Sequence, residues 1–466
     1  MSEATPYPYR FDRTATIGPV RDRHGSLAAG TDSGEQVAIA GRVMTMREHG
    51  KVAFADLMDS SGRIQLFAQQ DVLGEEDMAA FNRITVGDIV GVEGEVVMTR
   101  RGELSVRVTS TTLLAPCTRS LPEKWHGMSD VEVRYRQRYL DMIANPVPGQ
   151  VLHARARANA AIRSFFDERG FVEVETPLLQ PVAGGAVARP FTTHHNALGI
   201  DLYLRVAPEL YLKRLLIGGA ERVYELNRSF RNEGVSTRHN PEFTMLEAYE
   251  AYVDYGDTMT LVEALVLAVA AAVGTDKKLE GPFRRITMFE AISEATDRDL
   301  EAPWRGGDDG AVRTHAEELG VTLEPTWSTG KALFEIYEMR VEKGLVEPTF
   351  IVGMPKDVSP LAKDHRSIPG FTEHADLVIG GVEIAPIYSE LNDPDEQRRR
   401  FEQQSAARAG GEQETLLPDE DFLDALAYGM PPAGGFGLGV DRLLMYLLDL
   451  PSIREVIMFP TLKPEA

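Results

Sequence analysis

The feature that most constrains the fold is a change in the character of the sequence near residue 36. From there to about residue 115, five short runs of apolar and β-branched residues, broken by glycines, follow one another. Short strands at a spacing of roughly ten residues predict a small closed barrel. An OB-type barrel and an SH3-like barrel fit this pattern equally well.

Beyond residue 150, helical and strand-like segments alternate. Residues 151–170 have the pattern of an amphipathic helix that stops at Gly170, and a strand-like run with a proline at Pro177 follows. Further strand-like runs lie at 201–205, 222–231, 242–252 and 376–391, and helical patterns lie at 209–217, 258–272 and 442–448. This order predicts an α+β domain in which helices flank an antiparallel sheet.

These patterns divide the chain into four parts. Residues 1–36 are predicted to be a loosely ordered, flexible arm, 37–116 the barrel, 117–149 a linker and 150–466 the α+β domain. The linker contains Pro122 and Pro146 with a basic amphipathic helix, 134–143, between them. We interpret that helix as a connector.

Composition excludes several classes of protein. The single cysteine, Cys117, excludes an internal disulfide and a cysteine-built metal site. No run of 18 apolar residues predicts a membrane span, and the N-terminus lacks a secretory pattern. The sequence therefore predicts a protein of the reducing cytoplasm.

The net charge of −22 argues against non-specific binding of nucleic acids, including DNA. Even the barrel segment contains more acidic than basic residues. Any nucleic-acid partner must therefore be recognised by specific side chains.

The segment 228–252 has the first candidate site. Phe243, Glu247 and Tyr249 follow strand periodicity and share one face. A carboxylate on a packed face needs a partner, although an edge strand could expose it to water instead. Arg238 and His239, in the preceding loop, offer donors to an anion, as expected for a nucleotide triphosphate site.

Two further segments are candidates. Gly434, Gly435, Gly437 and Gly439 predict a turn that allows close backbone approach and runs into a helix near residue 441. Asp376 and Glu383 flank a predicted hairpin at 380–381. Two carboxylates without Cys or His nearby suit Mg²⁺, whereas the plain alternative is two solvated acids beside a turn.

Together these segments resemble the three motifs of class II aminoacyl-tRNA synthetases, in order. "GFVEVETPLL" resembles motif 1, "FRNEG…RHNPEFTMLEAY" motif 2 and "GLGVDRLLM" motif 3. "RYRQRYLD", "HHNAL", "LRVAPELYLKRL" and "SELNDP" resemble phrases of the lysine-specific members. The resemblance covers residues 37–466 and implies that the barrel is an OB-fold.

The resemblance also implies residue roles. Arg231, Glu233 and Arg442 would be catalytic, and Asp376 and Glu383 would share Mg²⁺. ATP would be bound by Arg231, Glu233, Arg238, His239, Phe243, Gly439 and Arg442; lysine by Gly185, Glu209, Glu247, Tyr249, Tyr388 and Glu390; and the tRNA anticodon by Phe54, Gln65 and Glu103.

The implied reaction is ATP-dependent ligation of L-lysine to tRNA(Lys) through a lysyl-adenylate, and motif 1 implies a homodimer. The chain departs from the family pattern at His374, Ala375, Asp376 and Pro386, where an Arg, an aromatic, a Glu and an Asn are usual. These departures leave two alternatives: a paralogous or auxiliary ligase for a lysine analogue, and a non-catalytic tRNA-binding paralog.

Overall fold

A computed structural model describes residues 7–121, 128–409 and 416–464. The chain forms two compact units, residues 1–127 and 128–466. The predicted linker, 117–149, is divided between them, because 128–149 groups with the second unit. Pro122 and the first six residues of the predicted arm lie outside the described residues.

The first unit is a closed five-stranded barrel, as the run spacing predicts. Its strands follow the order β1-β2-β3-β5-β4, with β3 and β5 parallel and the other pairs antiparallel. Its elements are α1 (Ile17–His24), β1 (Asp32–His49), β2 (Val52–Asp59), β3 (Gly62–Gln69), α2 (Gln70–Asn82), β4 (Ile89–Met98) and β5 (Leu104–Ala115).

The helix α1 lies in the segment that the sequence predicts as a loosely ordered arm. Ile17 and Val20 are fully buried against the barrel core. The amide of Ile17 also donates a hydrogen bond of 2.9 Å to Asp59. The helix has only two apolar anchors in eight residues, so its sequence shows no clear periodicity.

The second unit is built on an eight-stranded sheet of order β12-β13-β14-β15-β16-β11-β10-β6, antiparallel except for the β12-β13 and β10-β6 pairs. A smaller sheet has the order β7-β9-β8. The strands are β6 (Val172–Glu173), β7 (Leu179–Gln180), β8 (Thr192–His195), β9 (Ile200–Leu204), β10 (Arg222–Phe230), β11 (Glu242–Ala251), β12 (Arg284–Thr287), β13 (Thr349–Pro355), β14 (Phe371–Ile379), β15 (Val382–Ser389) and β16 (Ala433–Gly439).

Helices cover this sheet, and the large core lies between them. They are α3 (Val131–Arg136), α4 (Arg138–Ala144), α5 (Val147–Asp167), α6 (Glu209–Ile217), α7 (Tyr255–Val273), α8 (Met288–Thr296), α9 (Glu301–Arg305), α10 (Asp309–Glu318), α11 (Thr329–Arg340), α12 (Pro394–Ala409), α13 (Glu420–Leu426), α14 (Val440–Leu447) and α15 (Ile453–Val456), with 3₁₀ turns at Glu342–Gly344 and Lys356–Val358. The helix α7 is long and apolar enough to cross a membrane, but Val262, Leu265 and Val266 are buried in this core.

The glycine run is not a turn, which corrects the prediction from the sequence. Residues 433–439 form the buried strand β16, between β11 and β15. A Cβ atom at Gly435 would overlap the side chains of Glu390 and Tyr249. The glycine is needed for close approach, as predicted, but the approaching groups are side chains of neighbouring strands.

Two other segments differ in length from their predictions. The predicted helix 134–143 is two short helices, α3 and α4, because Arg138 turns inward between them. The guanidinium of Arg138 is fully buried and donates hydrogen bonds to the Asp141 carboxylate and to the backbone carbonyls of Arg454 and Met458. The strand-like run after Gly170 pairs over only two residues, Val172–Glu173.

Candidate active site

Two cavities open into the second unit on one face of the large sheet, and they share a wall. The first, of about 150 Å³, is lined by residues of the β10–β11 loop, β15 and the start of α14. The second, of about 330 Å³, is lined by residues of α6, β11, β14 and β15. Arg231, Met245, Glu383 and Pro386 line both. A ligand that spans both cavities would pass Arg231.

Arg231 lies just after β10, where that strand pairs with β11. The β10–β11 register places Ser229 opposite Phe243, and the Arg231 guanidinium lies 5.2 Å from the centre of the Phe243 ring. Its Nε is buried and finds no acceptor among the residues that the structure describes, and burial lowers the pKa of the guanidinium. A buried cationic donor without an acceptor indicates a place for an anion.

Arg442 and His239 form the other side of this first cavity. Arg442 lies in the first turn of α14, next to Gly439, and donates to the carbonyl of Glu383 at 3.1 Å. Its second amino group lies 3.2 Å from Nε2 of His239. Burial and the Arg442 charge lower the pKa of His239, which fits a neutral ring that accepts from Arg442.

The remaining predicted nucleotide residues also line this cavity. Glu233 and Arg238 are exposed at its rim, in the loop between β10 and β11. The first cavity thus gathers every residue that the resemblance assigns to ATP. It combines an aromatic ring, three arginines and a helix start, a set that suits a nucleotide with phosphates.

The second cavity is acidic. Glu247 is buried on its floor and accepts a hydrogen bond of 3.1 Å from the Tyr249 hydroxyl. Burial, and after it the Glu209 charge, raises the pKa of Glu247 well above its usual value. Burial likewise raises the pKa of Tyr249, which is therefore a neutral donor. This floor would gain stability from a cation.

Glu209 and Glu390 are linked by a residue that the sequence did not single out. The Nζ of Lys213 lies 2.6 Å from Glu209 Oε1 and 2.6 Å from Glu390 Oε2. Lys213 is fully buried and Glu390 is 1% exposed. Neither Glu390 oxygen has a hydrogen bond of good geometry among the described residues. Glu209 lines the cavity beside Gly185, whose φ of +88° and close contacts leave no room for a side chain.

The predicted metal residues, Asp376 and Glu383, both line the second cavity. Burial, and after it the Asp376 charge, raises the pKa of Glu383, whereas the charge of Arg442, 3.7 Å from Glu383 Oε1, acts in the opposite direction. The expectation that no histidine lies nearby is wrong. Nε2 of His374 is 2.8 Å from Asp376 Oδ1, and Nδ1 of the same ring is 2.6 Å from the Ser359 hydroxyl.

The donor set at these carboxylates fits a hard cation. Among the described residues, no group of three His, Cys, Asp or Glu side chains could hold a metal alone. Mg²⁺ usually takes one or two carboxylates and completes its shell with water and substrate phosphates. Asp376 and Glu383 fit that partial role.

Three other departures from the family pattern line or back this cavity. Pro386 lies opposite Asp376 in the β14–β15 pairing, and the His374 ring lies 4.4 Å from that of Tyr388. Ala375 is fully buried in the sheet core. His374 and Pro386 therefore alter the cavity wall, whereas Ala375 alters the packing behind it.

In the barrel, Phe54 and Gln65 lie on the neighbouring strands β2 and β3. Phe54 is half-buried and stacks on Phe67, with centroids 5.1 Å apart and planes 5° apart. Gln65 accepts a hydrogen bond of 3.0 Å from the Ser105 hydroxyl, which also lies 3.1 Å from the carbonyl oxygen of the exposed Glu103. Phe54 and Gln65 thus share one face of the sheet, and Glu103 lies in the turn just before β5.

Sequence reasoning missed Lys213, Phe67 and the wall residues Phe334, Ser359 and Leu361. Lys213 follows Glu209 by four residues, a spacing that brings ion pairs together on a helix, so it could have been found. The wall residues are distant in sequence from Glu209 and Arg231, and no local sequence pattern marks them as part of a site.

Comparisons with known protein families match both units of the chain. Residues 130–463 match the family of class II tRNA synthetases (D, K and N), and residues 37–114 match the OB-fold nucleic acid binding domain. The chain therefore belongs to the class II aminoacyl-tRNA synthetases, and its barrel is an OB-fold.

Curated relatives narrow the family further. The chain is 52% identical to the lysine–tRNA ligase of Moorella thermoacetica over 99% of its own length and 94% of the relative. It is 49% identical to the lysine–tRNA ligase of Carboxydothermus hydrogenoformans over 98% and 94%, and 50% identical to that of Xanthomonas oryzae over 99% and 93%. Within the class, it belongs to the lysine–tRNA ligase family.

Proposed function

We propose that this protein ligates L-lysine to tRNA(Lys) at the expense of ATP, through a lysyl-adenylate. One observation carries the proposal. The two adjoining cavities are lined or backed by complementary groups: among the described residues, Nε of Arg231 has no acceptor and Oε1 of Glu390 has no donor. A molecule with an anionic centre near Arg231 and an ammonium group near Glu390 would satisfy both.

Lysine has this distribution of charge, because it has a carboxylate and two ammonium groups. Its α-ammonium would bind Glu209 beside Gly185. Its ε-ammonium would lie among Glu390, Glu247 and the Tyr249 hydroxyl, with the Tyr388 ring along the alkyl chain. An ammonium has three donors and no acceptor, so carboxylates and a phenol oxygen are suitable partners.

ATP would lie in the first cavity. Its adenine would stack on Phe243, and Arg442 and Arg238 would contact the phosphates, with Glu233 and His239 at the rim. This places the α-phosphate near Arg231, next to the lysine carboxylate. The arrangement accounts for the shared wall between the cavities.

The reaction then requires no nucleophile from the protein. The lysine carboxylate attacks the α-phosphorus and pyrophosphate leaves. The 3′-terminal ribose hydroxyl of tRNA next attacks the acyl carbon and AMP leaves. Arg231 and Arg442 would stabilise the negative charge that develops at phosphorus, and the cavity walls would align the reactants.

Mg²⁺ would be held by Asp376 and Glu383. When bound, it would neutralise charge on the phosphates. The His374 contact engages one oxygen of Asp376 and leaves the other available. The departures at His374, Asp376 and Pro386 change the wall around the substrate and retain these carboxylates.

The relatives do not favour the alternatives of an analogue-specific ligase or a non-catalytic paralog. Every residue that the resemblance assigns to ATP lines one cavity. The barrel would bind the anticodon, with Phe54 stacking on a base and Gln65 and Glu103 bonding to base edges.

A homodimer would cover exposed apolar side chains of the second unit. Val172 is 58% exposed on β6, the edge strand of the large sheet; Leu178 and Leu179 are exposed at β7 of the smaller sheet, and Val147 and Leu152 on α5. Edge strands with apolar side chains tend to pair with another chain. Sedimentation equilibrium should give twice the chain mass. The enzyme would act in the cytoplasm.

Aminoacylation tests the proposed function. Purified protein with ATP, Mg²⁺ and radiolabelled lysine should charge a tRNA(Lys) transcript and leave a tRNA(Asp) transcript uncharged. Without tRNA, it should accumulate bound lysyl-adenylate. Efficient charging with aspartate or asparagine, and none with lysine, would overturn the proposal.

A further inference from the structure

Lys213 is a fully buried cation for which the mechanism above has no role. It lies one turn after Glu209 on α6, and its Nζ is 2.6 Å from Glu209 Oε1 and 2.6 Å from Glu390 Oε2. Those two carboxylates are the groups assigned to opposite ends of the substrate lysine. Burying a lysine is costly unless its ammonium is paired.

We propose that Lys213 is a positioning residue for lysine activation: its charge favours the ionised form of Glu390, and it fixes the separation of the two carboxylates that receive the substrate's ammonium groups. The inference rests on the proposed function and assigns a specificity role to a residue that would not itself touch the reacting atoms.

The electrostatic part of the argument begins with Glu390. Burial raises the pKa of this carboxyl group, whereas the Lys213 charge acts in the opposite direction. The other ionisable groups that face it are Glu209 from α6, Tyr249 from β11 and Tyr388 from β15. Among these groups Lys213 is the sole cation. Without it, Glu390 would hold a proton and could not balance an incoming ammonium.

The geometric part concerns the substrate's length. Two oxygens that contact one Nζ at 2.6 Å cannot lie farther apart than twice that distance. Each carboxylate also has a second oxygen that does not contact Lys213 in these ion pairs, and Glu390 Oε1 lacks a donor. Lys213 thus holds the sites for the α- and ε-ammonium groups next to a single residue of α6.

The direct test is ATP–pyrophosphate exchange by the full-length Lys213→Met variant. Breaking a buried charge pair costs enough to raise the lysine KM by about 30-fold or more, while kcat and the ATP KM should change by less than about threefold. Lys277→Met is the matched control, because it removes a lysine paired at 2.6 Å with the exposed Asp449. It should leave the lysine KM unchanged.

The pH profile separates this role from a purely structural one. In Lys213→Met, the lysine KM should fall by up to about tenfold per pH unit between pH 7 and 8.5, as Glu390 loses its proton. The wild type should show a much smaller change, and Lys213→Arg, which retains the charge, should restore the wild-type profile. A pH-independent loss, with kcat and KM affected equally, would overturn the inference.

A double-variant cycle keeps the inference testable if Lys213→Met does not fold. Lys213→Met combined with Glu390→Gln leaves no unpaired charge at residue 390. If Lys213 acts through Glu390, the double variant should have the lysine KM of Glu390→Gln alone. A lysine KM that is a further 30-fold higher in the double variant than in Glu390→Gln would contradict this role of Lys213. Failure of the wild type to exchange with lysine would overturn the proposed function itself, whereas an unchanged KM in an active Lys213 variant would overturn this inference alone.

Discussion

The two cavities that meet at Arg231 differ in charge and in exposure. The nucleotide cavity has an exposed loop, three arginines and few buried acids. The amino-acid cavity is lined or backed by buried carboxylates, and the protein supplies its own ammonium group at Lys213. One side is suited to a highly charged ligand that stays hydrated, and the other to a small cation removed from water.

This difference explains where the chain departs from its family. Arg231, Phe243 and Arg442 follow the family pattern, and in the proposed function they would contact ATP, which the departures elsewhere do not affect. The departures at His374 and Pro386 lie on the wall of the amino-acid cavity. Arg231, which lines both cavities, should be the residue whose loss has the largest effect.

The replacement Arg231→Ala should lower the rate of lysine-dependent exchange by on the order of 10²-fold or more, because it deletes a contact that strengthens as charge develops at phosphorus. Its Tm should stay close to that of the wild type. Arg222→Ala is the control, since Arg222 begins β10, the strand that Arg231 follows, but forms an exposed pair with Glu250. Near-normal exchange by Arg231→Ala would show that the two cavities do not share this residue functionally.

The barrel provides the next largest effect. Phe54→Ala should weaken tRNA binding by roughly 1–3 kcal/mol, the value of one stacked base, and should leave exchange without tRNA unchanged. Phe81→Ala is the contrast, because Phe81 is in the barrel core and its loss should instead lower stability by about 3–5 kcal/mol. Equal losses of charging and exchange in Phe54→Ala would identify Phe54 as a packing residue.

Pro386 tests whether the divergent wall tunes lysine affinity. Pro386→Asn adds an amide and a backbone donor, and should lower the lysine KM by about tenfold, the effect of one hydrogen bond of around 1 kcal/mol or slightly more. Since Pro386 lines both cavities, an unchanged ATP KM is the internal control. A raised lysine KM, with tight activation of another amine by the wild type, would support the analogue-specific alternative.

The smallest effect concerns pH and contrasts the two cavities directly. Burial raises the pKa of Glu390, so the lysine KM should fall by a few-fold as pH rises from 6 to 8 and this carboxylate ionises. Burial lowers the pKa of His239, so the ATP KM should stay nearly constant above pH 6.5. Parallel pH profiles for both substrates would argue against this difference.

The sequence predicted some parts of this structure better than others. The helix 209–217 and the strands near 222–231 and 242–252 agree with α6, β10 and β11, because their apolar residues repeat regularly. Strand β16 was missed, because glycine disfavours strands and Gly435 is required only by side chains from other strands. Pairing across the sheet is a long-range effect that no local pattern contains.

The candidate site was predictable where one segment carries several functional groups. The loop from Arg231 to Phe243 is such a segment, and its members line one cavity. The contacts from His374 to Ser359 and from Lys213 to Glu390 join distant segments. The charge balance of the amino-acid cavity therefore emerged only from the fold.

The central claim is that the acidic cavity selects lysine. ATP–pyrophosphate exchange by the wild-type protein, measured with each of the twenty standard amino acids, ornithine and β-lysine, tests it most directly. We expect kcat/KM to be highest for lysine, by at least about tenfold over ornithine, which has one methylene fewer. Preferential exchange with β-lysine, or with an amino acid that lacks a second ammonium group, would contradict the account.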